Sequence, residues 1–348
     1  MRTSSWLALP PSAVAMVAVV ALLGALGPPI ASGQEGSEPD EVTEAEGAPF
    51  LLLPVGAQGI GSGRAMTAMA SEEAAFWNPA GLAAQQERRL SIYRGEQIDP
   101  SIALNVLWPL SRLGTVGFSY YLLDQGEQTL TDDFNNVLGE LSIRSHLAIA
   151  SFGTALPWGI HAGVNAKLVQ RREGCRGDCQ ERETTSSAYA WDVGVQAQPL
   201  PGVPLRVGWM LAHLGTRFRS RDAKEAQPLP ARMRVGVAYE ALGRLVEDGM
   251  MNLWLSVEAE NRVRALGSPS VHVGMNLHAA DLVSIAIGYA HLHNGDAQER
   301  QDLGRASGAT VGVGFSVDPF DLGLSKYLAR STLTELSEPI HVSLGVSF

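Results

Sequence analysis

Glu258 and Glu260 stand two positions apart in the segment Asn252 to Glu260. On a strand that spacing puts both carboxylates on one face. Paired carboxylates can serve acid–base chemistry, but this needs a nucleophile or histidine at a matching spacing, and none accompanies them. Enclosed carboxylates are costly unless hydrated or paired. The pair is therefore read as a site for a cationic group or as the counter-charge of Arg232 and Arg234, the structural ion pair being the simpler assignment. His272, Asn276 and His278 share a strand face and read as polar lining. His291 and His293 also share a face and could ligate a metal, but a rim position is the simpler reading and no metal is assigned. Cys175 and Cys179 have three residues between them, which does not fit a C-x-x-C redox motif. A small disulfide-closed loop in an oxidising compartment is expected instead.

Other chemistries fail on spacing. Gly59 and Gly61 fit the first two glycines of a dinucleotide fingerprint, but Arg64 occupies the third position and no βαβ unit follows. A lipase-type elbow, G-x-S-x-G, is missing from the chain. The formal charge of −10 argues against a nucleic-acid partner. The expectation is a non-enzyme without a cofactor.

The elements that must carry these residues are strands. From about residue 88 the chain repeats one unit, in which about ten residues alternate apolar with small or polar before a turn signal. In the last unit Ile340, Val342, Leu344, Val346 and Phe348 share one face, and His341, Ser343, Gly345 and Ser347 the other. About fourteen such units begin near residues 88, 101, 113, 141, 159, 187, 204, 231, 250, 269, 282, 308, 321 and 339. Connections that are very short, such as Ser111-Arg112 and Pro157-Trp158, largely alternate with long polar ones such as 125–140 and 294–307. A transmembrane antiparallel β-barrel, all-β and of about 14 strands, sorts its connections in this way, with tight periplasmic turns and long outer loops. The second face is mostly Gly, Ala, Ser, Asn and His, as a crowded lumen requires. Trp108, Trp158, Tyr239, Phe315 and Phe348 fall near unit ends, where interfacial aromatics belong.

Upstream, Arg2 and the apolar run Ala13 to Leu26 predict a secretory signal peptide over 1–33. Residues 34–49 are rich in acid and read as a disordered leader. Residues 50–87 do not alternate. Leu51 to Leu53, four closely spaced glycines, a possible helix from Ala65 to Phe76 and the break at Asn78-Pro79-Ala80-Gly81 predict an N-terminal plug or cap, followed by a barrel over 88–348. Asn78 can close the turn or bond a ligand or the wall, with the structural role favoured.

Gly61 to Ala70 and Glu73 to Leu82, with Asn78-Pro79-Ala80-Gly81 inside, resemble the opening of the PorV/PorQ family, which belongs with the FadL-like barrels. Leu229 to Tyr239 resembles that family's Pro-x-x-x-Arg-x-Gly strand, and Ile285 to Tyr289 its Gly-Tyr strand ends. The resemblance covers roughly 50–348; its N-terminal block is specific, whereas its strands are common to barrels. It implies a fourteen-stranded barrel with an N-terminal plug. It also implies one of two roles, passage of hydrophobic small molecules across the outer membrane or support of type IX secretion as an accessory that binds and shuttles cargo. The region 172–186, with Cys175 and Cys179, is a departure from the family. The expected partners are outer-membrane lipids, the barrel-assembly machinery, and a hydrophobic ligand or secretion-system subunits. The expected place is the bacterial outer membrane with both termini periplasmic.

Overall fold

The computed structural model describes residues 45–96, 99–132, 134, 136–177, 183–200, 202–220, 226–242, 250–267, 269–280, 282–292, 307–328 and 340–348. The expected signal peptide, residues 34–44 of the acidic leader, Cys179 and His293 lie outside the described residues.

The strands are β1 (Arg89–Gly95), β2 (Ser101–Pro109), β3 (Thr115–Thr131), β4 (Val137–Leu156), β5 (Ile160–Gly177), β6 (Glu183–Ala197), β7 (Leu205–Gly215), β8 (Arg219–Ser220), β9 (Arg232–Glu240), β10 (Met251–Arg262), β11 (Ser270–Ala279), β12 (Val283–His291), β13 (Gly308–Val317), β14 (Phe320–Tyr327) and β15 (His341–Ser347). Each pairs antiparallel with its neighbours in chain order. β1 pairs with β15, β7 passes directly to β9, and β5 pairs with β6, which closes the ring. β8 is a two-residue ladder on β6, outside the ring. The result is a closed antiparallel barrel of 14 strands, with no edge left unpaired.

Alternation builds the wall. Along β12, Ile285, Ile287 and Tyr289 are exposed while Ala286, Gly288 and Ala290 are buried. Along β6, Tyr189, Trp191 and Val193 face out, and Ala190, Asp192 and Gly194 face in. The outer surface is thus an apolar band and the inner surface is small and polar. At the short-turn end, exposed Trp108 meets Phe348 edge to face at 6.4 Å, and the Arg88 guanidinium lies 3.9 Å over the Trp108 ring. Ser111, Trp158 and Ala280 take positive φ in the short turns.

Two departures from the sequence reading have physical causes. Residues Ala65 to Phe76 do not form one helix. The helices are Ala57–Gly61 and Ala74–Trp77, with a 3-10 turn at Pro79–Ala84. Between them, side chains of the wall and of the plug itself take the backbone groups that a helix would use: Thr67 N donates to Glu258 of β10 at 2.7 Å, and Thr67 O accepts from the plug's Asn78 at 2.7 Å and from Gln196 of β6 at 3.0 Å. The ordered plug also begins earlier than residue 50. Glu46 pairs with Arg232, and Ala48 is buried with Phe50, Leu51 and Leu52.

β3, β4, β5 and β6 run to 17, 20, 18 and 15 residues. A strand needs only about 9–11 residues to cross a bilayer. These four therefore project well beyond the band on the long-loop side.

Candidate functional site

The lumen holds the plug, and the plug is bonded to the wall all round. Asn78 is fully buried. Its Oδ1 accepts from Ala80 N at 3.1 Å, capping the 3-10 turn, while its Nδ2 donates to Thr67 O at 2.7 Å and approaches Trp209 O at 3.5 Å. The amide thus closes the turn and touches the wall together. Pro79, Ala80 and Gly81 pack in a bay whose floor is glycine on three adjacent strands. A Cβ at Gly163 would collide with the Pro79 and Ala80 backbone, one at Gly194 with the Asn78 amide, and one at Gly153 with Pro79 O. No side chain but hydrogen leaves room for the turn there.

A charged cluster faces this bay from β9 and β10. Arg234 Nε lies 2.6 Å from Glu260 Oε2, its direct cross-strand partner, and 4.0 Å from Glu258 Oε1. Arg232 forks onto Glu46 at 3.0 and 2.8 Å and comes within 3.9 Å of Glu260. Arg234 also lies 5.8 Å from the Trp77 ring, whose Nε1 donates to Val55 O at 3.0 Å. His272 stands opposite Glu258 in register and is fully buried; among the described residues neither of its ring nitrogens has a hydrogen-bond partner. The residues Glu258, Glu260, Arg232, Arg234 and His272 are therefore brought together, with ion pairing rather than a free cation site as the outcome.

Asn276 and His278 go elsewhere. They line a cavity of about 420 Å³ at the short-turn end, with Gln58, Glu72, Glu73, Arg89 and Asp321. Asn276 Oδ1 accepts from Ser62 Oγ at 2.7 Å, which ties wall to plug. Arg89 pairs with Glu72 and, at 2.6 Å, with Asp321. The Glu73 carboxylate accepts Gln58 N at 3.0 Å and Gly59 N at 2.8 Å. Burial pushes its carboxyl up to about 8, the nearby Glu72 charge acting in the same direction and the Gly59 amide against it.

A second polar cluster was not singled out from sequence. Lys167 Nζ lies 2.5 Å from Asp192 Oδ2 and 3.2 Å from His213 Nδ1. Asn165 Nδ2 bridges Asp192 Oδ2 at 2.7 Å and Ala75 O at 2.9 Å. The β6–β7 register slips between Trp191 and Val193, leaving His213 bulged at φ 58°, and Asp192 Oδ1 accepts its N–H at 2.9 Å. The carboxylate thus satisfies the donor that the bulge frees from the ladder. Asn165 and Lys167 could have been found as Glu258 was, since both lie on the small-residue face of an alternating unit.

Toward the long loops the lumen turns apolar. Tyr93, Tyr121, Leu123, Leu147, Ile149, Val169, Phe218 and Leu229 surround Phe50, Leu51, Leu52, Leu53 and Val55 of the plug. Cys175 is disulfide-bonded, while its expected partner Cys179 lies outside the described residues. Among the described residues no group of three or more His, Cys, Asp or Glu could hold a metal, and no helix is long and apolar enough to cross a membrane.

Neither a protein-family model nor a curated protein matches the sequence. Solved structures do match the fold. CymD, a monoaromatic hydrocarbon channel, aligns with a TM-score of 0.56 at 13% identity, covering 85% of this chain and 98% of that one. The Ralstonia pickettii toluene transporter TbuX aligns at 0.50 and 13% identity, covering 84% and 98%. The Pseudomonas putida toluene transporter TodX aligns at 0.50 and 11% identity, covering 88% and 98%. At these identities the likeness is one of fold alone.

Proposed function

We propose that this chain is an outer-membrane channel of FadL-like type that admits hydrophobic small molecules and is held shut by its own plug. One observation carries the reading. Beneath the long loops lies the largest apolar cluster of the lumen, walled by Tyr93, Tyr121, Leu147, Ile149 and Val169, whereas β1 carries Arg89 and β9 to β11 carry Arg234, Glu258, Glu260 and His272 among small residues. Its present contents, Phe50 to Leu53, have the apolar character a hydrophobic ligand would need to take their place. Monoaromatic hydrocarbons, named for the fold neighbours CymD, TodX and TbuX, are the ligand class to try first. In this reading the long-loop end faces outward and both termini face the periplasm, which the alternation of short and long connections supports. The role is passage, with no chemical step and no cofactor.

Uptake of a labelled monoaromatic into proteoliposomes tests this. The chain is expected to speed uptake over empty vesicles, Tyr121→Arg to abolish the gain, and Tyr121→Phe to keep it. Uptake no faster than in empty vesicles would overturn the reading.

A second reading, support of protein secretion in the manner of PorV/PorQ proteins, draws on the 61–82 resemblance and on the projecting strands β3 to β6, which offer a platform beyond the bilayer. Recovery of translocon subunits with the chain from native membranes would favour it over passage.

A further inference from the structure

Arg144 of β4 and Arg172 of β5 are direct cross-strand partners. Both are exposed, and each lies on the outer face: Arg144 stands between buried Ile143 and Ser145. Like charges placed opposite each other on a ladder repel. Asp124 pairs with Arg144 at 3.0 Å, and no ion pair of Arg172 occurs among the described residues. Two residues nearer the membrane on the same face come His146 and Gln170, then Ala148 and Leu168, with exposed Tyr189 opposite Leu168 and exposed Trp191 opposite Ala166. Tyr120 Oη bonds His146 Nδ1 at 2.6 Å. The order outward is thus apolar rows and aromatics, a polar row, then the arginine pair.

Beyond the pair the face changes sign. Glu127 and Glu183 stand one step farther out, opposite Ser142 and Gly174, and Glu140 stands opposite Arg176. These residues, with Arg144, His146 and Arg172, line an open concavity of about 350 Å³ on the outside of the wall.

We propose that the Arg144–Arg172 pair is a clamp for the phosphate groups of lipids packed against the outside of the barrel, in the leaflet at the long-loop end. The inference rests on the membrane reading above and adds a lipid site to it. Guanidinium is suited to phosphate because its planar fork donates two parallel hydrogen bonds. A phosphate between the two arginines removes the cross-strand repulsion. A lipid rather than free phosphate is the occupant because the pair directly continues the apolar rows: acyl chains lie on Leu168, Ala148 and Tyr189 while the head group reaches Arg172. The outer carboxylates leave the phosphate plane to the arginines.

Native mass spectrometry of the full barrel with bisphosphorylated lipid A, dephosphorylated lipid A or inorganic phosphate tests the clamp. Heat-modifiable migration reports the folded barrel in the same samples. Arg172→Ser is compared with Arg171→Ser, which removes the same charge one residue away on the inner face. Expected is retention of the phosphorylated lipid that falls about tenfold or more in Arg172→Ser, stays in Arg171→Ser, and resists millimolar inorganic phosphate. Equal loss in both variants, equal retention of the dephosphorylated lipid, or displacement by inorganic phosphate would overturn the clamp while a folded barrel leaves the membrane reading standing. Failure of the wild type to form a barrel in lipid would sink both.

Discussion

Arg234 and Glu260 face each other across β9 and β10, guanidinium to carboxylate at 2.6 Å, both buried inside the barrel. This pair anchors the charged wall on which the plug rests, since Glu258, beside it, holds Thr67 N. Removing one partner strands the other. Arg234→Met is expected to cost about 3–5 kcal/mol by leaving the buried Glu260 carboxylate to Arg232, which stands 3.9 Å away and is already forked onto Glu46, read as a lower urea midpoint for the refolded barrel. The double variant Arg234→Met/Glu260→Gln should recover part of that loss.

Asn78 acts on the plug rather than on the ring. Asn78→Ala removes the turn cap and the bond to Thr67 O, and is expected to cost about 1–3 kcal/mol. Hydrogen exchange should speed at Ala80 and across residues 66–82, while amides of β11 to β13 keep their protection. Asn78→Asp retains the acceptor and loses the donor, so it should not rescue.

Gly163→Ala tests the glycine bay from the wall side. The added methyl meets the Pro79 backbone, which cannot yield as a flexible side chain can. Overpacking of about 1–3 kcal/mol is expected, borne by the plug because the ring is closed and continuous. Planar-bilayer recordings should show more frequent openings than wild type.

Glu73 gives the plug a pH dependence. Its folded value of about 8 lies above the ordinary 4.5. A carboxyl raised on folding contributes stability that is full below about 4.5 and is lost as pH climbs through about 8. The plug should therefore be held more firmly at pH 5 than at pH 9, by on the order of a few kcal/mol. Protection of the Gln58 and Gly59 amides, after correction for intrinsic exchange, should fall over that range, and Glu73→Gln should flatten the change.

The wall was legible because alternation is local. The expected unit at 308 begins where β13 begins, and that at 101 where β2 begins. The pairing of Glu258 and Glu260 with arginines was legible because all four share a face on adjacent hairpin strands. The plug's helices were not, because wall side chains take the backbone of Thr67 from more than a hundred residues away. His213 escaped for a related reason. Its meeting with Lys167 and Asp192 depends on the β6–β7 bulge, which no periodicity announces, whereas Lys167 and Asp192 themselves share the inner face of the regularly paired strands β5 and β6. The separation of Asn276 and His278 from the charged cluster depends on where the plug stops, which the wall pattern does not encode.

Residues 46–83 are seated inside the closed ring. Ser62→Cys with Asn276→Cys, in a Cys175→Ser/Cys179→Ser background, tests this directly, because the native side chains meet at 2.7 Å across plug and wall. In intact outer membranes, mild oxidation should join the two cysteines in most molecules, read as a shifted band that reductant reverses. If the two remain as free thiols in a folded, heat-modifiable barrel, the plug does not sit in the lumen and the account is wrong.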